Sequence, residues 1–269
     1  MFCMGNGGIF CLFRQSATSQ SVVMRPLSLL ITGFGPFPGA AENVSGWLVE
    51  TLAATRPSSR FGCELHAQVL LTEWAEVSAR GPKLLHRHKP RLVLHLGLSK
   101  QARGLRIERS AHNRVEVKQD ARGALPMTDT IIEHGHGRLD TDLPAASLAK
   151  HLREQGLPAI ASRSAGTYLC NFLYYLSLDW AAQQDSPCDV CFVHVPPGPR
   201  QGGPLSEAEL LRGTEAILHY LLAFADRREG AEQPQEQTGP GLAVGEPVPH
   251  WERNLRRAGL FDKKNQHIK

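Results

Sequence analysis

Three short apolar runs constrain this chain more than anything else in it. They are Leu27-Ser28-Leu29-Leu30-Ile31, Arg91-Leu92-Val93-Leu94-His95-Leu96 and Val190-Cys191-Phe192-Val193-His194-Val195. Runs of this length, closed by Gly33, Gly97 and a Pro-Pro pair, read as buried strands. Helical stretches fall between them. Asn43 is a good N-cap for a helix to about Thr55, with Trp47, Leu48 and Leu52 as its apolar stripe. Another strand is expected from about Glu64 to Leu71, followed by a helix after Thr72 that Gly81-Pro82 should break or kink. Residues 99–143 look irregular, with short strands and a hairpin expected. Helices over Pro144–Gln155 and Tyr168–Ala182 flank a short strand at Pro158-Ala159-Ile160-Ala161. Ser206 and Glu209 form a capping box for a last helix. Strands alternating with helices predict an α/β sheet between helical layers, with the site beyond the carboxyl ends of the strands.

The ends of the chain read differently. Residues 1–25 are expected to be an unstructured extension. Their apolar stretch, Gly7 to Phe13, has no Lys or Arg before it and Arg14 after it, the reverse of a signal peptide. The folded domain is expected over 26–227. Residues 228–250 read as a flexible linker rich in Gly, Pro, Gln and Glu, and 251–269 as a basic tail with room for a short helix. The formal net charge of +4 sits on that tail, which holds six basic and two acidic residues. A nucleic-acid binder carries its basic surface on the folded domain, so nucleic acid is set aside. No apolar run reaches the roughly 20 residues of a membrane span. Six cysteines in a chain this long are too sparse for a disulfide framework, which favours a reducing compartment such as the cytoplasm.

Chemistry centres on three residues. Cys170 lies in the first turn of an expected helix, where free N–H groups and the helix dipole favour a thiolate. By position alone a buried structural cysteine is the commoner reading. His194 ends an apolar strand, as a general base or as a core histidine bonded to backbone. Glu108 would orient and stabilise an imidazole, or simply pair with Arg109. Cys188-Asp189-Val190-Cys191 offers a redox reading, but Cys191 falls inside a strand, away from the helix start such motifs use. No second ligand pair accompanies it, which argues against zinc.

Three blocks resemble the pyroglutamyl peptidase I family of cysteine peptidases. The first is Thr32-Gly33-Phe34-Gly35-Pro36-Phe37, with Asn43 and Ser45 downstream. The second is His95-Leu96-Gly97-Leu98-Ser99, then Glu108-Arg109, Ala111 and Asn113. The third is Ser162, Ala165-Gly166-Thr167-Tyr168-Leu169-Cys170-Asn171, followed by Phe192-Val193-His194-Val195-Pro196. They stand in the family's order across about 27–225. The resemblance implies a single three-layer α/β/α sandwich with a mixed, mostly parallel sheet. It makes Cys170 the nucleophile, His194 the base and Glu108 the third member, with no metal or organic cofactor. Phe34 and Phe37 match positions that enclose the pyroglutamyl ring, and Leu98, Tyr168 and Leu169 are expected to complete the pocket. Many relatives carry an Arg shortly after the Glu; Arg122 is the match taken here, with Arg114 as the alternative. The implied partners are peptides with N-terminal pyroglutamate, and a homo-oligomer is open. A non-catalytic binder of such peptides, or an assembly protein, on the same fold is the other reading.

Overall fold

The computed structural model of the chain describes residues 27–55 and 61–232. The expected N-terminal extension, most of the linker and the basic tail lie outside the described residues. In chain order the elements are β1 (Leu27–Phe34), α1 (Val44–Thr55), β2 (Cys63–Leu70), α2 (Trp74–His88), β3 (Leu92–Leu98), β4 (Leu105–Glu108) and β5 (Ser110–His112). There follow β6 (Arg138–Asp140), α3 (Ala145–Glu154), β7 (Ala159–Ser162), α4 (Leu169–Ala182), β8 (Asp189–Val195) and α5 (Glu207–Glu232).

Six strands form one sheet in the order β2-β1-β3-β8-β4-β7. Every neighbouring pair is parallel except β4 and β8, which run in opposite directions. The apolar runs seen in the sequence occupy the middle of this sheet, buried on both faces. Two-residue alternation then sorts their side chains. Leu92, Leu94, Leu96, Cys191, Val193 and Val195 join the core beneath α1, α3 and α5. Val93, Val190 and Phe192 join the core beneath α2 and α4. The result is the three-layer sandwich with a mixed, mostly parallel sheet.

Two elements depart from expectation for physical reasons. Helix α2 passes through Gly81-Pro82 without interruption. Pro82 denies a hydrogen bond to the Ser78 carbonyl, but Ser78 is exposed, so water can serve that group. The opposite face of α2, with Trp74, Val77, Gly81, Leu84 and Leu85, is buried, and Gly81 lets Leu173 of α4 approach closely. Packing therefore outweighs the local penalty. Helix α5 continues to Glu232, past the expected linker start at 228. Arg228 bonds Asp189 at the start of β8 at 2.5 Å, which ties this stretch to the sheet.

The irregular segment is organised by side chains. β5 and β6 pair antiparallel, but residues 113–137 separate them and no tight hairpin turn joins them. Asn113 stands in for a strand partner there: Oδ1 accepts from the N–H groups of Ile131 and Ile132, and Nδ2 donates to the Ile132 carbonyl. Asp120 accepts from the N–H groups of Trp74, Arg122 and Ala124. Burial acts against its charge, but these three donors and the nearby Arg122 outweigh it and hold the carboxyl below its ordinary value. The capping box at the head of α5 is present: the Ser206 hydroxyl accepts from the Glu209 N–H, and the Glu209 carboxylate accepts from the Ser206 N–H. Among the described residues no helix is long and apolar enough to cross a membrane.

Close approach decides which glycines are replaceable. A methyl group at Gly33 would overlap the Ser45 backbone carbonyl, whereas one at Gly81 would meet only the end of the Leu173 side chain. Gly33→Ala is expected to destabilise by about 1–3 kcal/mol and to lower the melting temperature by several degrees. Gly81→Ala is expected to melt close to the parent. Equal melting temperatures for the two variants would contradict this assignment.

Candidate active site

The sheet brings two of the three candidate residues together by strand parity. β4 opposes β8 in the register Arg106↔His194 and Glu108↔Phe192. Leu105 and Ile107 belong to the α1 side of the sheet, so Arg106 and Glu108 project to the other side, with Phe192 and His194. The Glu108 carboxylate, with no solvent exposure, then reaches diagonally to His194, with Nδ1 and Oε1 2.8 Å apart. A carboxylate only accepts, so Nδ1 carries the proton and Nε2 is left for the opposite side of the ring.

That opposite side is where α4 begins. Tyr168 is its N-cap, and Cys170 lies in its first turn, where N–H groups have no intrahelical acceptor. Gly166, at φ +86°, makes the turn into the helix. Asn171 holds the helix start against β5: its carboxamide accepts from the His112 N–H and donates to the His112 and Arg114 carbonyls. Gly97 supplies the space for the thiol, because a methyl group there would stand 2.8 Å from Cys170 Sγ and 2.9 Å from Phe192 Cζ.

Charge and hydrogen bonding couple the three groups. Burial alone would pull the His194 imidazole down, but Cys170 and Glu108 each interact with it by charge and by hydrogen bond. Together they raise it to about 9. A value of about 9 leaves the ring protonated at neutral pH. Phe192 packs against His194 with ring centroids 5.0 Å apart and fixes the ring plane.

A cleft of about 830 Å³ opens over Cys170 and His194. Its lining includes Phe34, Phe37, Leu98, Tyr168 and Leu169, so the five expected apolar residues do share one site. Glu108 lies behind His194, out of the cleft. The loop that carries Phe37 is pinned from below: Asn43 Nδ2 and the Thr72 hydroxyl both donate to the Gly35 carbonyl, and the Phe34 N–H donates to the Ser45 hydroxyl. Tyr168 stands edge-on to Trp74 at 5.1 Å, and its hydroxyl donates to the Gln119 carbonyl. Arg122 is not part of the lining. The Asp120 turn, with Gly123 at φ +81°, carries its side chain outward to Glu73, 3.7 Å away and largely exposed. Arg114 does not line the cleft either.

The arginine that does line it is Arg106, which was missed in the sequence. Its Nε lies 3.7 Å from Glu108 Oε1, and its Nη2 donates to the Ser162 hydroxyl. Alternation along Leu105-Arg106-Ile107-Glu108 was the available signal, since it places residues 106 and 108 on one face. Cys188 and Cys191 sit elsewhere as free thiols, each pushed by burial up to about 12, the opposite of a reactive pair. Among the described residues no group of three or more His, Cys, Asp or Glu side chains is placed to hold a metal ion.

Cys170 and, after it, Glu108 raise His194 against the burial that lowers it, so removing the Glu108 charge should release the proton earlier. The imidazole resonances of His194 are expected to titrate near pH 9 in the parent. In Glu108→Gln the midpoint should fall by about one unit or more, since an opposite charge at this distance shifts a neighbour by about 1–3 units. An unmoved midpoint would show that Glu108 does not control the ring.

Comparison with known proteins follows this geometry. The family model for pyroglutamyl peptidase matches residues 27–205. Pyroglutamyl-peptidase 1 of Rattus norvegicus is 30% identical over 205 residues, covering 76% of this chain and 93% of its own. The pyrrolidone-carboxylate peptidase of Pyrococcus furiosus is 32% identical over 177 residues, covering 65% and 83%. The crystal structure of pyroglutamyl peptidase I from Bacillus amyloliquefaciens superimposes with a TM-score of 0.65 at 25% identity, covering 73% of this chain and 97% of that one. With a family match over most of the folded residues and relatives matched across nearly their whole length, the chain belongs to the pyroglutamyl peptidase family.

Proposed function

We propose that this protein is a cysteine peptidase that removes N-terminal pyroglutamate from peptides, with Cys170 as nucleophile, His194 as base and acid, and Glu108 as the group that orients and charges the imidazole. The observation that carries the reading is the His194 imidazole held between a fully buried carboxylate, 2.8 Å from its Nδ1, and a cysteine in the first turn of a helix. A thiolate beside an imidazolium is the ground state a cysteine peptidase needs.

The chemistry balances with these residues and water. The Cys170 thiolate attacks the carbonyl joining pyroglutamate to the next residue. The tetrahedral oxyanion faces the N–H groups at the start of α4, with that of Cys170 as one donor. His194 gives its proton to the departing amine as the carbon–nitrogen bond breaks, leaving a thioester. The neutral imidazole then takes a proton from water, the hydroxide attacks the thioester, and free pyroglutamate and the thiolate–imidazolium pair are restored.

Specificity follows from the lining. Pyroglutamate is a flat, neutral lactam, suited to the apolar wall of Phe34, Phe37, Leu98, Tyr168 and Leu169. An unblocked N-terminal Gln would bring an ammonium group into that wall, where desolvation without a partner is unfavourable. The cleft is also far larger than one lactam ring, so the rest of it is available to the following residues of the peptide.

Hydrolysis of pyroglutamyl-aminomethylcoumarin under reducing conditions tests this directly. The parent is expected to release the fluorophore, and Cys170→Ala to lose at least about 10³-fold in kcat. The corresponding glutaminyl substrate is expected to be cleaved at least about 100-fold less well. On the alkaline side, kcat/KM should fall through about pH 9, where His194 loses the proton that the leaving amine requires. A folded parent that binds pyroglutamyl peptides without cleaving them would instead support the binder on the same fold.

A further inference from the structure

Helix α4 bears the proposed nucleophile, and its polar side chains reach out to several neighbouring elements. Asn171 bonds the backbone of β5, and the Tyr175 hydroxyl donates to the His136 carbonyl. Ser177 accepts from His95 Nε2 on β3, because its own proton goes to the Leu173 carbonyl. Burial pulls His95 down to about 3, so the ring is neutral, and its Nδ1 must accept from the Thr32 hydroxyl. One tether differs from these in its destination. The Tyr174 hydroxyl donates to the backbone carbonyl of Glu108, 3.0 Å away.

We propose that Tyr174 is a positioning residue of the active site, locking the helix that carries Cys170 to the strand that carries Glu108. The inference rests on the peptidase reading above. Tyr174 follows Cys170 by four positions, so the two share one face of α4. The tyrosine is fully buried and touches neither the cleft nor the reacting atoms. Its ring packs on Phe192 at 5.5 Å, and Phe192 packs in turn on His194 at 5.0 Å. One side chain thus joins the helix of the nucleophile to the backbone of the residue that supplies the orienting carboxylate, while bracing the ring beneath the base. Burial lifts its phenol well above the ordinary value, so it remains a donor across the working range of pH. Cysteine and imidazole must be held within a fraction of an ångström, and a misplacement of about 1 Å can cost on the order of 100-fold in rate.

Charged or titratable groups near His194 come from β4, as Glu108 and Arg106, and from the start of α4, as Cys170 with Tyr168 ahead of it. Tyr174→Phe leaves all of them in place and keeps the ring packing. In this variant kcat for pyroglutamyl-aminomethylcoumarin is expected to fall about 5- to 50-fold with KM within about twofold. Alkylation of Cys170 by iodoacetamide at pH 7 should slow by about threefold or more as the ion pair loosens. Tyr174→p-aminophenylalanine, which restores a donor on the same ring, is expected to recover most of both losses. Ser177→Ala deletes a buried hydroxyl from the same helix but is bonded to β3 instead; it should lower the melting temperature without these kinetic effects. The proposal is overturned if Tyr174→Phe keeps the parental kcat and alkylation rate, whatever its melting temperature. It is equally overturned if Ser177→Ala reproduces the losses, since any loosening of the helix would then suffice. If the parent itself hydrolyses nothing, the peptidase reading fails, while the alkylation comparison still decides whether the tether sets the thiolate.

Discussion

An ionised carboxylate with no solvent exposure is strongly unfavourable unless opposite charge and hydrogen-bond donors surround it. Glu108 is such a group, and the arrangement around it follows from that constraint. Its partners come from different parts of the chain. His194 arrives on β8 and Arg106 from its own strand, both at one carboxylate oxygen, while Tyr174 from α4 holds the backbone carbonyl of the same residue. The pairing of β4 against β8 makes the contact possible, since the opposed register sets Glu108 beside Phe192 and diagonal to His194. A neutral residue at 108 would leave the buried imidazole with Cys170 alone to support its charge. The same burial that threatens the fold therefore supplies the electrostatics of the site.

Much of this architecture was legible in the residues. The runs around Leu94 and Val193 read as buried strands, and the helix expected over 168–182 put Cys170 in its first turn. Ser206 and Glu209 marked the head of α5 by a local pattern that the structure keeps. Periodicity could not show that β4 reverses direction, because alternation gives the face of a strand and not its neighbour. In the sequence only resemblance joins Glu108 to His194; in the structure that reversal does. Arg122 was misread because Asp120 accepts three backbone donors and turns the chain there, a tertiary effect with only a Gly at 123 to announce it. Pro82 misled for a related reason: the local penalty was read correctly, but the buried stripe of α2 was the larger quantity.

The site joins two kinds of support. Behind the reacting groups everything is strand, helix or buried side chain, from Gly97 beneath the thiol to Phe192 beneath the imidazole. In front, the cleft is bounded by chain with little regular structure, including Glu116, Lys118, Gln119 and Asp120. Lys118 stands over the Tyr168 ring at 4.7 Å and Lys100 over the Phe37 ring at 5.5 Å. Two of the aromatic side chains proposed to enclose a lactam are thus each covered by a cation that itself lines the cleft.

The anchoring of residues 113–137 by Asn113 and Asp120 has an evolutionary corollary. A β-ladder ties every second residue of a wall to a neighbour, so sequence drift there disturbs the sheet. A wall fastened at scattered points leaves side chains between those points free of the core: Val117, Leu125 and Met127 are all well exposed. Descendants of such a chain can exchange these residues freely and acquire new tastes for the tail of a peptide. The inherited chemistry at its head would be carried along untouched.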